Sequence, residues 1–324
     1  LVFLHYPRFV NTMEIKIWPD VSFWNALVSK NPESTFFHTP LWHDLVVRTY
    51  ADYAIATRGF IFSDGRKAVF PLIQTREGGL LKGKTRLKSS VFGGYGGIIA
   101  ESKLSGTEQK AMYDYLLSLK ASISVDGNPF SQYAIPDTFT LKKDFTHVFA
   151  LDTTEEEVLK RLSRGAKSNL NQAKKKGVSV RTARSEEEVL RYFNIYQDTL
   201  KRWGDATLFA YPQELLLNIY RHGGDAAKLW VAEKDGTIIA GAIIFYWNQV
   251  VSYWHGASLQ DYFDCYPNNL LHMTVMSDAL HKGFRCYDFG PSGGKHGVAR
   301  FKQSFGAEKY EFLSGHWKYR WRKK

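Results

Sequence analysis

Two cysteines in 324 residues, Cys265 and Cys286, with no Cys-x-x-Cys pair, leave nothing from which to build a disulfide framework or a thiolate zinc site. That usage fits a reducing compartment, and the cytoplasm is the expected address. Long apolar runs are scarce too: the one from Ile238 to Trp247 stops at about ten residues, half of what a bilayer-spanning helix needs. Leu1–Thr12, ahead of Met13, has neither a basic start nor a small-residue cleavage site, so it reads as an upstream extension and not as a secretory leader. The histidines are scattered, none at the spacing of His-Glu-x-x-His, and no metal site is expected. No Gly-x-Ser-x-Gly elbow occurs, and both cysteines stand in apolar contexts, so acyl-enzyme chemistry on Ser or Cys is disfavoured. Direct attack of a bound amine on an activated acyl group is the simpler route left.

Positive charge is what the chain has in excess. Lys and Arg number 43 against 32 Asp and Glu, a net +11 that attracts phosphates, RNA or an acidic leaflet. The surplus is concentrated. From Lys160 to Arg184 there is no acid at all, and from Lys295 to Lys324 the basic residues meet only Glu308 and Glu311. The second segment interleaves Phe312, Trp317, Tyr319 and Trp321, a mixture suited to stacking on bases or lying at a headgroup layer, although a basic tail without a ligand explains it about as well.

Hairpins and helices alternate twice. Tyr53–Phe62 and Lys67–Thr75 flank Ser63-Asp64-Gly65, and Lys228–Glu233 and Thr237–Tyr246 flank Asp235-Gly236. Before the first hairpin, Val21–Ser29 and Leu41–Tyr50 have helical apolar spacing; before the second, so do Ser185–Trp203 and Tyr211–His222. A helix over Lys110–Ser122 and a strand over Thr146–Leu151 lie between. Two α+β halves of similar plan follow, one over 13–145 and one over 146–307. Thr154 with Glu157, and Ser185 with Glu188, fit capping boxes, so a helix is expected over Thr154–Lys176, presenting Lys160, Arg164 and Lys167 as one cationic ridge.

Two glycine-rich segments need weighing. Gly78–Thr85 reads GGLLKGKT and satisfies a phosphate-loop pattern, but Arg86–Gly97 after it reads as strand and loop, so no helix N-terminus would face a phosphate. A hairpin loop is the better reading. Gly93-Gly94-Tyr95-Gly96-Gly97 permits close backbone approach to a ligand and would display Tyr95, although a tight turn accounts for the glycines equally.

The densest pattern is C-terminal: Tyr253-Trp254-His255-Gly256-Ala257-Ser258, a helix opening at Pro267 and ending at Gly283, Tyr287-Asp288-Phe289-Gly290, then Phe301-Lys302 and Phe305-Gly306-Ala307. With the basic helix ending in Ala-Lys-Lys-Lys-Gly-Val, this order resembles the FemAB family of aminoacyltransferases, over about Thr146–Ala307. The N-terminal half matches loosely, through His38-Thr39-Pro40-Leu41-Trp42 and the Gly-Gly-Tyr-Gly-Gly loop. The resemblance implies two tandem GNAT-like domains, each a mixed, largely antiparallel sheet flanked by helices, with 308–324 returning to the first. It implies transfer from aminoacyl-tRNA to an amine of a lipid-linked or UDP-linked peptidoglycan precursor, by a monomer that touches the inner face of the membrane peripherally and needs no cofactor. Phe301 and Lys302 would be catalytic, Lys302 stabilising negative charge on the acyl carbonyl, and Asp288 is a candidate base, though a carboxylate at a strand end more often caps a loop. Arg202 would bind diphosphate, and Tyr95, Tyr253, His255 and Trp42 would line the substrate site. Two alternatives stand beside this: an acyl-CoA-dependent N-acyltransferase acting on a surface polysaccharide or nucleotide sugar, and a non-catalytic module for anionic ligands. Against the first, Gln303–Glu308 is the nearest approach to a coenzyme A pyrophosphate loop, and its last position is wrong.

Overall fold

A computed structural model describes residues 8–10, 13–77, 84–204 and 210–320. The chain divides into two compact units, one running to Asp144 and resuming at Glu311, the other spanning Phe145–Tyr310. In chain order the first holds β1 (Arg8–Val10), β2 (Met13–Lys16), α1 (Val21–Val28), α2 (Pro40–Thr49), β3 (Tyr53–Ile55), β4 (Arg58–Phe62), β5 (Lys67–Phe70), β6 (Ile73–Glu77), β7 (Lys84–Lys88), β8 (Ile99–Ala100), α3 (Gly106–Ser118) and β9 (Ser122–Val125). There follow β10 (Thr140–Ala150), α4 (Glu155–Arg161), α5 (Arg164–Lys175), β11 (Ser179–Thr182), α6 (Glu186–Trp203), α7 (Gln213–His222), β12 (Ala227–Lys234), β13 (Thr237–Trp247), β14 (Val250–Ser258), α8 (Pro267–His281), β15 (Cys286–Pro291), α9 (His296–Gln303) and β16 (Glu308–Trp317).

In the first unit, β1-β2-β4-β5-β8 form one antiparallel sheet, while β3, β6, β7, β9 and the C-terminal part of β16 pair in a second. The hairpin expected over Tyr53–Thr75 is therefore divided: β4 and β5 pair in one sheet, β3 and β6 in the other. Pro71, which has no amide hydrogen, falls at the break, which is crossed by the Ala56 N to Leu72 O bond of 2.8 Å and by the Leu72 amide on Thr57 Oγ1 at 3.2 Å. Helix α3 starts earlier than expected because Ser105 and Glu108 form a reciprocal capping box, and Ser122 belongs to β9. Of the expected extension, residues 1–7 and 11–12 lie outside the described residues, as do 321–324 of the basic tail. Most of the Gly78–Thr85 motif does too; its last two residues open β7, not a helix.

The second unit is a six-stranded sheet ordered β11-β12-β13-β14-β15-β10, antiparallel except at β14–β15. Its β12–β13 turn places Asp235 at φ 50° and Gly236 at φ 75°, the doubly left-handed geometry that an Asp-Gly dipeptide supplies. Helix α8 packs on one face over Val251, Tyr287 and Phe289, and α6 packs against β13 and β14. The α+β class with tandem GNAT-like domains is thus realised. No helix among the described residues is long and apolar enough to cross a membrane.

Candidate active site

Strands β14 and β15 pair over only three positions, ending at Ser252↔Asp288, although β14 continues to Ser258 and β15 to Pro291. The ladders on either side are bulged. Between Ile243↔His255 and Ile244↔Tyr253, Trp254 is the extra residue of β14, and between Thr146↔Pro291 and Val148↔Asp288 the extra residue is on β15, where Phe289 and Gly290 stand opposite His147. Bulges bend strands and re-aim side chains, and these two bracket the place where the parallel strands stop pairing.

At that place β15 turns through Gly290, whose φ of 69° and a Tyr253 carbonyl 3.0 Å from where a Cβ would stand both demand glycine. Asp288 holds the turn: its Oδ1 accepts the Gly290 amide at 2.9 Å and the Thr146 hydroxyl at 2.5 Å. A carboxylate 1% exposed that accepts from its own turn is placed as a positioning group, the loop-capping role set beside the base in the sequence.

The turn aims two carbonyls at α9. Lys302, 2% exposed, donates from Nζ to Gly290 O at 2.5 Å and Pro291 O at 3.0 Å, leaving one N–H direction used by neither. Burial lowers its pKa to about 8, against a partly opposing pull from Asp288. The ammonium is therefore charged at neutral pH yet poorly hydrated, the state in which a cation acts most strongly on developing negative charge. Phe301, beside it, packs with Phe305 at 5.1 Å and His272 at 5.5 Å, an apolar wall rather than a reacting group. His272 bonds the Tyr287 hydroxyl at 2.8 Å, and burial together with Lys302 lowers its pKa to about 3.

Along β14, the Tyr253 ring meets His272 edge-on at 4.7 Å, and its hydroxyl lies over Gly256, where a Cβ would come within 2.2 Å of it. His255 is buried in an aromatic box: Nδ1 shares a 2.7 Å hydrogen bond with Tyr192, the Tyr196 ring stands edge-on at 4.4 Å, and burial lowers the imidazole pKa to about 3. Arg202, at the end of α6, reaches the Ser258 carbonyl at 3.5 Å and lies over the Phe263 ring at 5.0 Å. Trp203 beside it carries Lys295 over its ring at 3.9 Å. Together Arg202 and Lys295 put two cations near the end of β14 and the start of α9.

Residues 160–303 match the acetyltransferase (GNAT) domain family. The lipid II:glycine glycyltransferase of Staphylococcus epidermidis is 33% identical over 66 residues, a stretch covering 20% of this chain and 16% of that protein. Among solved structures, FemX superposes with a TM-score of 0.69 at 15% identity, over 93% of this chain and 96% of that one. A tandem GNAT protein from the clavulanic acid biosynthesis pathway does so with a TM-score of 0.54 at 11% identity, over 94% and 96%. The second unit is thus similar to the acetyltransferase (GNAT) domain family, and the fold of the chain is similar to that of FemX.

The FemAB-like pattern gathers Lys302, Phe301, Asp288, Tyr253, His255 and Arg202 in the second unit. Tyr95 and Trp42 belong to the first, and neither is displayed. Tyr95 is 2% exposed among Phe37, Phe130 and Phe312, and Trp42 is wholly buried against Phe36 and Phe37. Two glycines of that loop serve packing, since a Cβ on Gly96 would strike Ser89 Oγ at 2.2 Å and one on Gly94 would strike Ser90 Oγ at 2.5 Å, while Gly93 and Gly97 take positive φ.

The cationic ridge also needs correction. The chain breaks at Leu162, whose ψ of 137° ends α4, and Ser163 caps a new helix by accepting the Ala166 amide at 3.1 Å. Lys160 stays on α4, paired with Glu157 at 2.8 Å and Glu156 at 3.1 Å, and adds no free charge. Arg164 and Lys167 share the exposed face of α5 with Lys174 and Lys175, opposite buried Ala166, Leu170 and Ala173.

In the stretch nearest a pyrophosphate loop, the amides of Ser304, Phe305 and Gly306 bond the carbonyls of Arg300, Lys302 and Gln303. Those donors are spent at the C-terminal end of α9, where the helix dipole repels anions. Sequence reasoning missed His147 and the Lys295–Trp203 pair. A lone histidine in a strand carries no local signal, and its importance appears only with its burial.

Proposed function

We propose that this chain joins an amino acid, delivered as aminoacyl-tRNA, to a free amine of a peptidoglycan precursor. The observation that carries this is Lys302, a buried ammonium held on two carbonyls where β14 and β15 part. An amine attacks the ester carbonyl, its oxygen takes up negative charge, and the ammonium stabilises that charge through its unused N–H. One such donor is commonly worth about 3 kcal/mol. The bond to the tRNA oxygen then breaks and an amide remains.

The likeness to a lipid II:glycine glycyltransferase supports a peptidoglycan-precursor acceptor. The spent amides at Ser304–Gly306 favour a donor other than acyl-CoA, and the acid-free face of α5 suits a polyanion, whether tRNA, a diphosphate or an anionic leaflet. Arg202 and Lys295 would bind phosphate oxygens near the strand ends.

The test is transfer from charged tRNA to UDP-linked precursor, wild type against Lys302→Ala. A fall in kcat of about 10²–10³-fold is expected; equal turnover in the two would remove Lys302 from the chemistry. Thermal stabilisation by acetyl-CoA, with none from the precursor, would replace the donor assignment with acyl-CoA.

A further inference from the structure

We propose that His147 takes the proton from the attacking amine, a role that rests on the transfer reaction set out above. His147 stands on β10 opposite the bulge that Phe289 and Gly290 make in β15, at the turn where the Gly290 and Pro291 carbonyls hold Lys302. It is fully buried, and neither Nδ1 nor Nε2 has a hydrogen-bond partner. A buried polar group without a partner costs about 1–3 kcal/mol, and native proteins keep such groups where something else completes them. Its neighbours fix the ring without satisfying it. Phe145 packs edge-on at 5.6 Å, Lys309 lies over the Phe145 ring at 4.6 Å, and Thr146 is tied to Asp288. The bulge is thereby pinned on both sides while both imidazole nitrogens stay without a hydrogen-bond partner.

The charged groups around the bulge are Lys302 on α9, Lys309 on β16 and Asp288 on β15. Burial first, then Lys302 and Lys309, hold the imidazole pKa below its ordinary value. His147 is thus neutral at physiological pH, with one lone pair and one N–H to offer. A lone pair beside a positioned ammonium fits the two ends of the reacting group: the amine N–H meets His147 and the carbonyl oxygen meets Lys302. When that oxygen becomes negative, its charge offsets the two ammoniums and the imidazole can accept a proton. The C–N bond forms and one proton passes from the amine to His147. The ester C–O bond then breaks, and the same proton goes to the departing ribose oxygen, returning His147 to neutrality.

His147→Gln preserves a donor and an acceptor but cannot carry a proton. We expect it to lower kcat about 10²–10⁴-fold with KM for the tRNA within about two-fold. The acidic limb of the kcat/KM profile should vanish. In His147→Ala, added imidazole should restore turnover, with substituted imidazoles ranking by basicity, and it should fail to do so in His147→Ala/Lys302→Ala. Wild-type turnover in His147→Gln, an unchanged acidic limb, or rescue blind to basicity would each overturn the assignment. A second arm needs no variant and no turnover: in protein labelled with ¹⁵N-histidine, the His147 lone-pair nitrogen should read as neutral from pH 7 to 8 and shift on adding the UDP-linked muramyl-peptide precursor. An imidazolium at pH 7, or a resonance the precursor leaves in place, sinks the proposal. Should no donor support transfer in wild type, the reaction reading fails by itself, and this titration still decides whether His147 meets an amine.

Discussion

Lys302 carries two opposed consequences of burial. Its free energy of ionisation is raised by desolvation, so the unfolded chain, with a lysine near its ordinary 10.5, binds more protons than the folded one between about pH 8 and 10.5. Stability contributed at this position therefore rises with pH across that window and is lowest below it, by roughly 3 kcal/mol for a shift of this size. Replacing Lys302 by Met removes the titration. The melting temperature of wild type should accordingly gain on that of Lys302→Met as pH climbs from 8 to 10, whichever is higher at pH 7; parallel curves would mean the ammonium is hydrated. Gly256 sets a steric limit of the same local kind. A Cβ 2.2 Å from the Tyr253 hydroxyl must displace that ring from His272, so Gly256→Ala should cost about 1–3 kcal/mol in denaturant unfolding and slow transfer. At this scale the sequence named Lys302 through its motif, because Phe-Lys before Phe-Gly-Ala is a local string. It could not name His147, because two nitrogens without partners are a property of surroundings brought together from four elements.

Helix α5 shows how one residue divides an element. Ser163 offers its hydroxyl to the Ala166 amide while its own amide bonds the Ser304 carbonyl at 2.8 Å, so the capping geometry and a tie to the end of α9 interrupt what apolar spacing alone joins into one helix. The starts at Thr154 and Ser185 were legible because a hydroxyl three residues before a Glu amide is a local signal, and both hydroxyls do accept those amides. Only half of each box forms as read. Glu188 turns instead to the Arg184 amide and to Arg181, which it binds at 2.8 Å. The consequence for binding lies on the outward face of α5, where Arg164 and Lys174 have no acidic partner among the described residues. Arg164→Gln with Lys174→Gln should weaken tRNA binding and flatten the plot of log affinity against log salt by roughly 1–2, with kcat at saturation unchanged. An unaltered slope would remove this face from the contact.

The division of the whole chain depends on pairings that no local string announces. Asp-Gly turns made two similar halves visible, yet the strand β16 meets β9 through Gly315↔Val125 and Trp317↔Ile123, positions far apart in sequence. The close fit there is backbone on backbone. At Gly127 a Cβ would stand 2.1 Å from the Leu313 carbonyl, and at Gly315 it would stand 2.7 Å from Ile135 Cγ2, so neither position tolerates a side chain without moving a strand. Around them lie Phe312 against Tyr95 at 5.7 Å and the Gly127 amide on Ser314 Oγ at 3.1 Å, all within the first unit. Gly127→Ala should therefore loosen that unit alone. Native-state hydrogen exchange is the measurement: amides of β9 should lose protection by the equivalent of about 1–3 kcal/mol while those of β13, deep in the second unit, hold theirs. Equal loss in both would mean that the units unfold as one cooperative body, and a stability defect in the first would then be read at Lys302 as well.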